Sequence, residues 1–435
     1  MKIAICSSNS YNFWGWLVLL VALCLLSSIY VAKIPMLPIA LILFFINLII
    51  MNNGTRGIAL LLFSSKTLGA VFDIFHVPFP AFLLVLFLGF FFLKDEIRNC
   101  TFSNVAVQRL LLVFLIFAFW FLLGPMHAYS QSKLVYIVCV GISSFVAWNV
   151  AMKSSNIEYL KLALFLGVNS LIFVSIAYDV YFFDRPDNIL DFNFFRDSYT
   201  LLSKDSSMLL TYHSVGIPAL IGVAVLVSYE NLNVKSPSFI VTFLLLVMLL
   251  LISQTRQAIF GLFLILPIRI FLSDKIQLIG KLCAVFLLLM LFLYVLTSMD
   301  SSVIQESLHS DNSEELVNRD YQDAETMIKD NMVLGTGLGG YSRTGERAYP
   351  HNIFLELLCE TGILGTFLLS FVVFIPIFLK IKNLKMLSAS NLYLVLVIIG
   401  FGIRAMASSD LTESISFIAA LLIFFNCKRM AFQLK

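Results

Sequence analysis

Charge is scarce in this chain. Of its 435 residues only 13% are Asp, Glu, Lys or Arg, while 60% are hydrophobic. Soluble domains run at about 25% charged and about 45–50% apolar, so a soluble globular fold is excluded. Cysteine pairing is lacking too. The seven cysteines form no CxxC, and Cys24, Cys139, Cys283, Cys359 and Cys427 fall in or beside apolar runs. They read as membrane-buried thiols, with no disulfide framework and no cysteine-built metal site. No DxD or EF-hand pattern occurs in the polar connections, so neither a catalytic metal nor a cofactor is expected. A repeat of about 20 to 50 residues is absent, as is any low-complexity tract. The net charge of +3 is small and dispersed, which excludes nucleic acid as a partner.

What is present is apolar sequence for about a dozen crossings at about 20 residues each. The first run, Phe13 to Val31, has no small-residue cleavage site after it and reads as a retained span. Further runs begin near Met36, Gly57, Pro78, Leu110, Leu134, Leu160, Val215, Phe239, Ala258, Leu278, Ile353, Leu392 and Ile415. The run from Gly57 to Phe75 carries Lys66 and is the weakest. The expected fold is an all-α, polytopic integral membrane protein with about 12 to 14 transmembrane helices and one large polar loop carrying short helices. Three stretches follow from this: an N-terminal transmembrane bundle over residues 1–296, the large loop over 297–351 and C-terminal transmembrane helices over 352–435, in a single integral domain.

Basic connections are retained on the cytoplasmic side. Lys380, Lys382 and Lys385 share a connection without an acid, and Lys428, Arg429 and Lys435 close the chain. Counting back from them places Thr297 to His351 on the outer face, with Asp184 to His213, Ser253 to Gln257 and Ala405 to Glu413. The long loop holds ten acids against four bases, which agrees with that side. The cytoplasmic connections are too short for a nucleotide-binding domain. Energy must therefore come from an ion gradient or from an activated substrate delivered through the membrane.

A 55-residue connection among short ones is a place to look for function. Glu314 to Lys329 reads as a surface helix with Leu316, Ala324, Met327 and Ile328 as its apolar positions. GTGLGG follows at Gly335 to Gly340. No strand precedes it and no lysine follows, so it reads as a turn that lets backbone approach something rather than a phosphate cradle. The loop ends in Tyr349, Pro350, His351 and Asn352, and a span begins at once. His351 and Asn352 thereby sit in the interface at a helix N-terminus, where an imidazole can exchange a proton near neutral pH. On position alone His351 serves equally as an interfacial cap. Glu356 and Glu360 lie four apart on one helix face and read as anchors for His351 or for a basic partner.

Arg256, in SQTRQA, occupies a very short turn between two apolar spans, and Arg319, in NRDYQD, opens the surface helix. Guanidinium forks suit phosphate oxygens, which points to a lipid-borne phosphate or diphosphate, although for either arginine alone a headgroup contact or an ion pair serves as well. Arg404, beside Asp410 and Glu413, is a third candidate. His76, His127, His213 and His309 lack such company and read as interfacial.

The order SQTRQAIFGLF, NRDYQDAETMIKDNMVLGTGLGGY and YPHNIFLELLCETGILGTF resembles the O-antigen ligase and O-antigen polymerase superfamily of bacterial membrane glycosyltransferases. The resemblance covers Leu251 to Thr366, with His351–Asn352 followed by Glu360, Gly362 and Gly365 as its most specific part. Met332 departs from it, standing where the family often has proline. The resemblance implies a GT-C-like fold in the bacterial inner membrane, multi-pass, with the active site facing the periplasm. It implies transfer of a glycan from undecaprenyl diphosphate, with inversion and without a metal. Arg256 and Arg319 would bind the diphosphate as it leaves, His351 would act as base, Asn352 and Arg404 would assist binding, and Glu356 and Glu360 would support them. The expected partners are the undecaprenyl-diphosphate-linked glycan, the lipid bilayer and a polysaccharide chain-length regulator. O-antigen polymerase is the first reading and O-antigen ligase, with lipid A core as acceptor, the second. From another class comes a secondary transporter coupling ions through Asp73, Glu356, Glu360 or Arg404.

Overall fold

The computed structural model describes residues 36–154, 156–181, 212–228, 236–253, 255–273, 277–298, 311–343, 349–350, 352–375, 389–407 and 410–426. The expected first span, Phe13 to Val31, lies outside the described residues, as do His351 and the basic connection with Lys380, Lys382 and Lys385.

The described residues are all-helical, as composition requires, with no strand among them. In chain order the helices are α1 (Leu37–Ile50), α2 (Asn53–Ala59), α3 (Ser65–Ile74), α4 (Ala81–Asn99), α5 (Asn104–Leu123), α6 (Ala128–Lys153) and α7 (Tyr159–Tyr181). They continue with α8 (Tyr212–Val227), α9 (Pro237–Ser253), α10 (Arg256–Leu272), α11 (Leu278–Ser298), α12 (Asp311–Asp330), α13 (Ile353–Val373), α14 (Ala389–Ala407) and α15 (Leu411–Asn426). Each apolar run read from Met36 onward falls on one of these. Among the described residues five helical stretches are long and apolar enough to cross a membrane: Asn53–Ile74, Asn104–Leu123, Ala128–Lys153, Tyr159–Ala177 and Ile353–Val373. The chain is a polytopic membrane protein. Leu115, Leu122, Phe119 and Phe367 are exposed, as side chains facing hydrocarbon should be.

The chain divides into two compact units. One comprises Met1–Asn99, Lys153–Leu266 and Tyr393–Gly400. Its centre is α7, almost wholly buried, packed on α1, α8 and α9. Asp179, near the end of α7, accepts from the N–H groups of Met36 and Leu37 at 2.8 Å each, capping α1 from another helix. At the other end of α1, Arg56 donates to the carbonyls of Leu48, Ile49 and Met51, and Lys161 donates to that of Ile50. The weak run with Lys66 is a helix interrupted by a π-turn at Leu60–Ser64, whose Ser64 hydroxyl donates back to Ala59 O at 3.0 Å. Gly57 meets Leu93 and Gly89 meets Leu61 so closely that no Cβ fits, which is how α2 and α4 approach.

The second unit comprises Cys100–Met152, Pro267–Leu392 and Phe401–Lys435. Here α13 packs on α5, α12 and α15, and α15 packs on α5. Ser144 and Ser416 exchange a hydrogen bond at 2.7 Å where α6 meets α15, and Gly141 on α6 lies against Phe114 and Ile415.

Candidate functional site

The expected surface helix is longer than read. It begins at Asp311 because Asp311, Glu314 and Glu315 favour a helix start there, which leaves Arg319 within it rather than at its opening. Three of its four expected apolar positions are described and pack as expected. Ala324 and Met327 are buried with Tyr341 and Cys359, and Ile328 packs on them. The Cys359 thiol donates to Ala324 O at 3.6 Å, so α12 is seated on the second turn of α13.

Asn352 caps α13, its side-chain oxygen accepting from Phe354 N at 2.9 Å and Leu355 N at 3.3 Å. Ten residues on, α13 breaks. Gly362 has φ 63° and ψ −173°, a conformation closed to other residues without strain. A break inside a helix orphans carbonyls on one side and N–H groups on the other. The glycine turn supplies the missing partners. Thr336 N donates to Cys359 O and Gly337 N to Glu360 O, both at 2.9 Å, while Ile363 N and Leu364 N donate to Met332 O and Val333 O at 3.0 and 3.1 Å. Leu338 N also donates to Trp120 O at 3.1 Å, and the Trp120 indole N–H donates to Leu334 O at 2.6 Å. The backbone that GTGLGG was expected to approach is therefore its own α13 and the end of α5.

Left-handed glycines make this possible: Gly335, Gly337 and Gly339 have φ of 69°, 85° and 77°. A Cβ on Gly337 would overlap backbone atoms of Gly124, which have no rotamer to move. Gly337→Ala is expected to cost about 2 kcal/mol or more, seen as a clear fall in the melting temperature of the detergent-purified protein. An unchanged melting temperature would mean that the turn does not hold the break.

Glu356 and Glu360 do face inward, and the basic partner is Lys133 on α6. Its Nζ donates to Glu356 Oε1 at 2.5 Å and Glu360 Oε1 at 2.7 Å, with all three side chains fully buried. Sequence reading passed over Lys133 because it stands at the edge of a run and looks like an end charge. The signal available was the mismatch between two acids within one span and no base on it. The second oxygens of both acids, Glu356 Oε2 and Glu360 Oε2, have no hydrogen bond. One ammonium thus serves two acid side chains.

Beside it lies the start of α15. Asp410 caps α15, accepting from Thr412 Oγ1 at 2.6 Å and Glu413 N at 3.0 Å, and Arg404 pairs with Glu413 at 2.7 Å. Burial and the neighbouring Glu413 hold the Asp410 carboxyl above the usual range. Burial, then Glu413 and Asp410, push the Tyr349 phenol up. Arg404, an expected binding residue, is thus ion-paired with the first turn of α15. His127, read as merely interfacial, lies within hydrogen-bonding distance of Ser130 Oγ through Nδ1 at 2.9 Å and of Ser342 Oγ through Nε2 at 3.0 Å, tying the α5–α6 turn to the glycine turn.

Of the three residues expected to carry chemistry, Arg256 opens α10 in the first unit, directly after the buried Thr255. Arg319 belongs to α12 in the second unit. His351 lies outside the described residues, between the described Pro350 and Asn352. The structure joins α12, which carries Arg319, to the start of α13, since the two share one core.

Residues 241–370 match the family model described as O-antigen ligase, the superfamily whose motifs the sequence resembles. That segment contains Arg256, α12, the glycine turn, Asn352 and the broken α13. No curated protein and no solved structure matches the chain.

Proposed function

We propose that this chain, whose residues 241–370 match the O-antigen ligase family, is a membrane glycosyltransferase that assembles a cell-surface polysaccharide from an undecaprenyl-diphosphate-linked glycan. The observation that carries the reading is the union of α12 with α13. One element bears Arg319, the other is preceded by His351, and they are fastened by a shared core and by the turn that repairs the break at Gly362.

Departure of a diphosphate builds negative charge on the leaving oxygen while the anomeric carbon gains oxocarbenium character. In this reading the Arg256 and Arg319 guanidiniums stabilise that charge, Arg319 belonging to the helix that Ala324 and Met327 seat on α13. The neutral His351 imidazole takes the proton of the acceptor hydroxyl as its oxygen attacks the anomeric carbon, with inversion. Asn352 caps α13 directly after it in the chain. Glu356 and Glu360 act through structure, held by Lys133. The site faces the periplasm of a bacterial inner membrane, the lipid-linked glycan arrives from the bilayer, and a chain-length regulator is a further partner.

The acceptor in the first reading is another carrier-linked repeat unit, making the protein an O-antigen polymerase. O-antigen ligase, with lipid A core as acceptor, is the second reading, favoured by the description of the matching family model. Deleting the protein from its cell separates them. Lipopolysaccharide bearing a single repeat unit is the expected result for a polymerase. Bare core with polymer left on the carrier would move the assignment to ligase, and unaltered lipopolysaccharide would remove both.

A further inference from the structure

The depth of the glycine turn follows from helix lengths. α5 runs from Asn104 to Leu123, about 30 Å at 1.5 Å per residue, so one hydrocarbon boundary lies near Leu123. Two other helices agree. Lys133 and Lys153 stand about 30 Å apart on α6, and α13 carries no charged residue from Gly362 to Val373. Gly337 lies against Gly124 and bonds Glu360 O, linking these marks at one level. The break of α13 accordingly lies at that level.

Met332, Val333 and Leu334 lie on the hydrocarbon side of that level. The carbonyls of Met332 and Val333 bond Ile363 N and Leu364 N, the first N–H groups beyond the break. All three side chains are exposed, at 56%, 64% and 47%. They continue the exposed apolar surface of Ile363, Leu364 and Phe367, and no charged residue occurs from Asn331 to Ser342. Their backbone is committed to α13 and Trp120, so the segment meets the condition for irregular backbone at membrane depth.

We infer that Met332–Leu334 is a membrane-inserted tip whose partner is the acyl chains of the surrounding lipid, and that it anchors the end of α12 in the bilayer. Continuity with the lipid-facing surface of α13 selects lipid over a protein partner. The inference rests on the membrane fold and stands whether or not the chain transfers glycan.

Benzoylphenylalanine is introduced in place of Val333, in place of Leu334 and, as the control on α12, in place of Tyr321. The full-length protein is reconstituted in radiolabelled phosphatidylethanolamine–phosphatidylglycerol vesicles and irradiated. Several-fold more labelled lipid is expected on the 333 and 334 variants than on the 321 variant. Equal labelling at all three positions, or adducts only to protein at 333 and 334, would overturn the inference. Two tip positions guard against one variant that does not fold.

Discussion

Lys133→Met is expected to destabilise the protein by about 3–5 kcal/mol, the range for removing one partner of a buried ion pair. Lys133, Glu356 and Glu360 are fully buried, and Lys133 donates the hydrogen bond received by Oε1 of each acid. Without it two carboxylates would face each other out of water. The measurement is thermal unfolding of the protein in detergent, together with its amount in the membrane. Combining Lys133→Met with Glu356→Gln and Glu360→Gln removes every charge of the trio and should restore much of the loss, because neutral amides carry no charge to compensate. A Lys133→Met protein that melts like the parent would show that the trio does not hold α6 to α13.

For catalysis the largest expected effect is at His351. Loss of general-base assistance typically slows a reaction about 10²–10⁴-fold, so His351→Ala should reduce transfer from a lipid-linked glycan in vesicles to that extent. Arg256→Ala and Arg319→Ala should each lower it about 10²–10³-fold, the usual scale for removing one group that stabilises developing negative charge. The protein level should stay normal, which distinguishes these variants from Lys133→Met. Parental rates in all three would remove the mechanism and leave ion-coupled transport as the reading to pursue.

Helix-forming runs were legible because lipid imposes one rule at every position, and the described helices follow them from Met36 onward. The amphipathic α12 was legible from the spacing of Ala324, Met327 and Ile328. The inward direction of Glu356 and Glu360 followed from the cost of an acid facing lipid. Their partner did not, because Lys133 is 223 residues from Glu356 in sequence and nothing local distinguishes it from an end charge. The break at Gly362 was hidden for a related reason. A glycine in an apolar helix is ordinary, and its φ of 63° is stable only because a distant turn bonds the freed backbone groups.

Composition and hydropathy alone made this a many-helix membrane protein, and the ordered Arg256, Arg319 and His351 motifs pointed to a family, since both kinds of information are written along the chain. Tertiary structure alone decided that Lys133 neutralises part of an acidic pair, that the backbone GTGLGG approaches is that of the broken α13, and that Arg404 is paired with Glu413. Those outcomes depend on which buried polar groups meet. A hydrogen bond or ion pair out of water is satisfied by proximity in space, and separation along the chain does not record it.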